Sequence, residues 1–74
     1  MIRYVEGWQL HSYVEHGVDG PEGLAISARH LARDIFRVNR FDLTDLPSGR
    51  EATEFIDSKL FAVIGVTDDG RIFF

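Results

Sequence analysis

"SARHLARDIFRVNR", residues 27–40, carries four of the chain's eight basic residues in a protein of formal charge −4. At about 100° per residue, Ala28, Leu31, Ala32, Ile35 and Val38 fall on one apolar stripe, which predicts a helix from 28 to about 39. Leu24 would extend that stripe backwards, but Ile26 would then land among the arginines. A short strand over 23–26 removes the conflict and leaves Ser27 as the helix N-cap. On such a helix Arg29, Arg33 and Arg37 stand at i, i+4 and i+8. Arg40 joins the same side if the last turn persists, His30 lies beside them, and only Asp34 interrupts the row.

Upstream, "IRYVEGWQLHSYVEHG" is rich in aromatic and β-branched residues. Trp8, Leu10, Ser12 and Val14 alternate with Gln9, His11, Tyr13 and Glu15, the pattern of a half-buried strand bent or bulged at Gly7. "GVDGPEG" reads as a turn. Downstream, "RFDLTDLPSG" reads as a loop, and Ser48 with Glu51 fits a capping box for a second helix over about 49–58. Ala52, Phe55 and Ile56 fall on its inner side. "LFAVIGV", residues 60–66, is apolar throughout and reads as a strand buried on both faces. "TDDG" is a tight hairpin turn with Gly70 in the left-handed position, and "RIFF" is the returning strand.

The expected architecture is a single α+β domain over 1–74. It has one sheet of three to four strands in the order β-β-α-α-β-β, with two helices packed on one face. A chain of this size buries only about 60% of its unfolded surface, so its core is thin. There is no cysteine, which excludes disulfides, thiolate metal sites and thiol chemistry. With 45% hydrophobic and 12% aromatic residues, the composition is too apolar for intrinsic disorder. No apolar run approaches the ~20 residues of a membrane helix. "MIRYVEGWQLHSY" has charged and polar residues where a signal peptide needs an apolar stretch. The expectation is a cytoplasmic protein with no membrane contact.

Catalytic signatures are missing. Ser12, Ser27, Ser48 and Ser58 lack a nucleophile-elbow setting, and no glycine pattern matches a nucleotide cradle. A metal site from His11, Glu15 and His30 has no diagnostic spacing. Tyr4, Trp8, Tyr13, Phe61, Phe73 and Phe74 invite comparison with a base-stacking sheet but lack the glycine-aromatic signature of RNA-binding sheets, and most are needed for the core. What remains is charge. The arginine row forms a planar-donor surface suited to carboxylate or phosphate. Asp42, Asp45, Glu51, Glu54 and Asp57 form an acidic segment against Arg50 alone.

The two segments can neutralise each other, for about 0–1 kcal/mol per exposed pair. If free, they give the molecule a positive and a negative face, which favours steered contact with a protein over general affinity for nucleic acid. The expected function is therefore a non-catalytic interaction module without a cofactor. An inhibitor or adaptor fits best, for example a phage-type inhibitor of a host defence complex such as an anti-CRISPR. Its expected contact residues are Arg29, Arg33, Arg37, Arg40 and His30, with Asp45, Glu51 and Glu54 as an alternative phosphate-mimicking segment. The expected partner is another protein or a nucleoprotein complex. The competing reading is a small nucleic-acid-binding protein using the same arginines, and a third is a homodimer joined through a sheet edge.

Overall fold

The computed structural model describes residues 1–46 and 51–74. The chain opens as an antiparallel meander of four strands: β1 (Ile2–Val5), β2 (Trp8–Gly17), β3 (Gly20–His30) and β4 (Phe36–Phe41), adjacent in chain order. A 3-10 turn, Leu43–Asp45, leads away from the sheet. The helix α1 (Ala52–Ala62) packs against β2 and β3, and a small hairpin of β5 (Gly65–Val66) and β6 (Ile72–Phe73) follows. The α+β class stands. Among the described residues the expected order with two helices is replaced by four strands, one α-helix and two short strands.

The opening stretch, expected as one bent strand, is two strands joined by a two-residue turn. Glu6 (φ 49°) and Gly7 (φ 86°) both have positive φ, the condition for a hairpin turn that matches strand twist. Val5 therefore pairs with Trp8, and Arg3 with Leu10.

The predicted helix over 28–39 does not form. β3 continues to His30, a turn follows, and β4 returns alongside it. The long β2 explains why. Its ladder with β3 runs from Trp8↔His30 to Gly17↔Gly20, and a helix starting at Ala28 would strand the backbone groups of Trp8 to Leu10 on that side. Leu24, Ile26 and Ala28 alternate along one face and are 0% exposed. Ile26, the residue that broke the helical stripe, is thus a core residue in a period of two. Leu31, placed on the apolar stripe, is 61% exposed in the connecting turn. Ser27 is a buried strand residue rather than an N-cap.

The His30 imidazole does the capping instead. Its Nδ1 accepts the N–H groups of Ala32 (3.0 Å) and Arg33 (2.9 Å). The Leu31 N–H donates to the Gly7 carbonyl at 3.0 Å, tying this turn to the first hairpin turn.

The second predicted helix exists as α1, shifted towards the C-terminus. Ser48 of the proposed capping box lies outside the described residues. Glu51 occupies the N-cap and makes no side-chain cap hydrogen bond. Ala52, Phe55 and Ile56 face the core as expected, joined by Leu60. The apolar run 60–66 is not a strand buried on both faces. Leu60 to Ala62 form the last turn of α1, and of this run only Gly65–Val66 is strand. Phe61 and Ile64 are 62% and 66% exposed. Unbroken apolarity does not distinguish strand from helix.

A cation decides the boundary. The Arg3 guanidinium donates through Nη1 to the carbonyls of Leu60 (2.8 Å), Phe61 (3.1 Å) and Val63 (2.7 Å). These carbonyls stand at the helix end, where that of Leu60 also takes the Val63 N–H at 3.4 Å, and the positive charge suits the helix dipole there.

The core lies between α1 and one sheet face, with Leu10, Leu24, Ile26, Ile56 and Leu60 each 0% exposed. Full burial of such a side chain contributes about 1.5–3 kcal/mol. Besides the Arg3 contacts, a pair of polar side chains crosses this seam: Ser12 Oγ donates to Asp57 Oδ1 at 2.5 Å. Among the described residues no buried side-chain polar atom lacks a partner, and no helix is long and apolar enough to cross a membrane. The "TDDG" turn forms as expected, with Gly70 at φ 90° and its N–H on the Thr67 carbonyl at 3.0 Å.

Candidate interaction surface

Residues opposite one another in an antiparallel ladder share a face, so the register sorts the sheet into two sides. One side, with Trp8, Leu10, Leu24 and Ile26, lies under α1. The other side has no helix over it among the described residues. There the rows His11↔Ser27↔Val38 and Tyr13↔Ala25↔Arg40 set small residues on β3 between large ones on β2 and β4. Ala25 (0% exposed) and Ser27 (8%) are buried on this open side, because taller neighbours wall them in. An ion pair between Arg40 and Glu15 spans the furrow from β4 to β2.

At its far end the furrow opens. Gln9, Arg29 and Phe36 form one cross-strand row, and Gln9 Nε2 donates to the Tyr4 hydroxyl at 3.2 Å. A concavity of about 430 Å3 lies here, lined by Gln9, Arg29 and the turn His30 to Phe36. Tyr4 and Phe36 are each 64% exposed. Arg33 sits 5.9 Å from the centre of the Trp8 ring, and His30 meets that ring edge-on at 4.8 Å. Trp8, 3% exposed, is thus the platform that holds the turn.

The expected arginine row is dispersed by the strand geometry. Arg29 and Arg40 share the open face, and Arg33 sits in the turn. Arg37 lies on the opposite side of β4, 3.2 Å from Asp69. His30 also points to the helix-covered side, against Trp8. Asp45 belongs to the 3-10 turn, Glu51 caps α1 and Glu54 stands in its first turn. Neither ion pair among the described residues joins the arginines to the acids of 42–57.

The metal combination is separated by the same register. His11 and Glu15 face the open side and His30 the other, and no group of three potential ligands occurs among the described residues. Of the aromatics, Tyr4 and Tyr13 lie on the open face, whereas Trp8 is core. Phe36 is the residue that sequence reasoning missed. Its signal was the alternation of Phe36, Val38 and Arg40 with Arg37, Asn39 and Phe41.

Two exposed carboxyls are held below the usual aspartate range. Asp69 owes this first to the Thr67 hydroxyl, and then to the charges of Arg37 and Arg71. Asp42 owes it to the Thr44 backbone N–H, which it accepts at 3.0 Å, and to the Thr44 hydroxyl.

No protein-family model matches the chain, and no curated protein or solved structure is significantly similar to it.

Proposed function

We propose that the protein is a non-catalytic interaction module, an inhibitor or adaptor, that docks the open face of its sheet onto an acidic surface of a partner protein. One observation carries this reading: Tyr4, Tyr13, Phe36 and Arg29 stand together on a sheet face that α1 leaves uncovered. Tyrosine and arginine are residue types enriched among those that dominate binding energy at protein interfaces, and Arg29 and Phe36 also line the concavity. Arg29 and Arg33 supply positive charge, Glu15 is paired with Arg40, and among the described residues Asp34 is the one acid lining the concavity.

The same aromatics and arginines favour a second reading, stacking on single-stranded nucleic acid. Charge weighs against it. Arg40 is neutralised by Glu15, Arg37 by Asp69, and the chain carries −4 overall. Few phosphates can be matched by what remains.

The test is affinity capture from the cells in which the protein acts, using wild type, Arg29→Glu, Phe36→Ala and a control, Phe61→Ala, on the exposed side of α1. A partner retained by wild type and Phe61→Ala but lost from both face variants supports the proposal. Retention that ignores the face variants contradicts it. Labelled single-stranded DNA and RNA at low salt discriminate the second reading. Affinity that falls steeply with salt and is weakened by Arg29→Glu would transfer the function to nucleic acid.

A further inference from the structure

We infer that the free edge of β4 is a second docking site, one that accepts an extended acidic segment of a partner protein as an added strand. It goes beyond the open-face reading and stands without it. β4 is an edge strand, with β3 on one side and, among the described residues, no strand on the other. The bond from the His30 N–H to the Ile35 carbonyl, 3.0 Å, sets the phase of the ladder. Ile35, Arg37, Asn39 and Phe41 turn their backbone groups towards β3, so Phe36, Val38 and Arg40 turn theirs outward. Among the described residues no hydrogen bond reaches those outward groups.

A concavity of about 300 Å3 lies beside β4, lined by the consecutive residues Arg37 to Phe41 together with Arg71, Ile72 and Phe74. An incoming strand would bond to Phe36, Val38 and Arg40 and send every second side chain into this space. What waits there is specific. Arg37, Arg40 and Arg71 present guanidinium groups, and Phe41, Ile72 and Phe74 present apolar surface. Among the described residues no acidic side chain lines this space. The pairs of Arg37 with Asp69 and of Arg40 with Glu15 are exposed, so each contributes little and can be exchanged for an incoming carboxylate. Arg71 adds a third guanidinium.

Charged edges also guard proteins against unwanted strand pairing. A guard that repels copies of itself still attracts an oppositely charged strand, so the two roles differ in what an acidic peptide does.

The probe is a fluorescein-labelled heptapeptide of alternating glutamate and valine. Controls are its lysine counterpart and a version N-methylated at alternate backbone positions. The inference expects the glutamate peptide to bind in fluorescence anisotropy and to slow hydrogen exchange at the Phe36, Val38 and Arg40 amides. Both controls and Arg71→Glu should bind about tenfold more weakly or worse. Val38→Pro removes an outward N–H, a place where a strand tolerates proline, and should abolish binding. The methylated peptide makes the same point on the unaltered protein. Arg29→Glu, which disables the open face, should leave this binding unchanged. No binding of the glutamate peptide, equal binding of the methylated one, or loss through Arg29→Glu would each overturn the inference.

Discussion

The side-chain amide of Asn39 lies between the carbonyl of Gly70, at 3.0 Å, and the N–H of Ile72, at 3.1 Å. One side chain on β4 thereby makes the pair of bonds that a neighbouring strand would make, and it fastens the β5–β6 hairpin to the main sheet. Gly70 is buried beside Arg37 and Trp8, and its φ of 90° suits glycine. The hairpin's docking and the left-handed turn depend on each other.

Removal of that amide leaves two backbone groups unpaired at a part-buried seam. Asn39→Ala is expected to lose about 1–3 kcal/mol in chemical denaturation. Hydrogen exchange at Ile72 should quicken, and Trp8 fluorescence should shift to the red as the hairpin lifts. A variant with unchanged exchange at Ile72 would show that the hairpin docks by other means.

Arg3 gives a second expectation. Its guanidinium serves three carbonyls at the end of α1, so Arg3→Ala should cost about 2 kcal/mol, the scale of bonds to a charged donor. Arg3→Lys should recover part of the loss, because an ammonium keeps the charge and can donate from one nitrogen, but on a stem of different length and shape. Urea denaturation of the three proteins measures both effects.

Core truncation should be costly in so small a domain. Leu60 is 0% exposed between α1 and the sheet, and Leu60→Ala is expected to lose about 2–5 kcal/mol. Phe61→Ala, one residue on and 62% exposed, should change stability little. The contrast, read by thermal denaturation, tests that 60–62 is the last turn of a helix rather than a strand buried on both faces.

Acid should act on Asp69 in a predictable direction. Its folded-state carboxyl titrates lower than usual, so its contribution to stability is present above the unfolded value and is lost as pH falls through the folded one. The stability gap between wild type and Asp69→Asn should therefore be constant near neutrality and shrink only below the usual carboxylate range. A gap that persists unchanged into acid would contradict the Thr67 and Arg37 contacts.

Much of this was legible in the sequence. The alternation across β2, the "TDDG" turn and the inner side of α1 follow from local pattern alone. The helix over 28–39 was misread because Ala28, Leu31, Ala32, Ile35 and Val38 satisfy a helical period by chance. What overrides them is non-local: β2 needs a partner of its own length. The pairing of Trp8 with His30 across 22 positions cannot be read from either segment alone. Ile26 was the local clue, since it fitted no helical face. The candidate surface suffered with the helix. Arg29 and Arg40 remained relevant, Arg37 moved to the other side, and Phe36 entered only when β4 was recognised as a strand.

The central claim is that residues 27–40 form a β-hairpin that lays Arg29, Phe36 and Arg40 on one open face. Two-dimensional NMR tests it most directly, because opposite residues in the non-hydrogen-bonded pairs bring their Cα atoms within about 4.5 Å. The account predicts strong Hα–Hα cross-peaks between Ser27 and Val38 and between Ala25 and Arg40. Their absence, with a run of helical Hα-to-amide contacts three residues apart through 28–38, would contradict it.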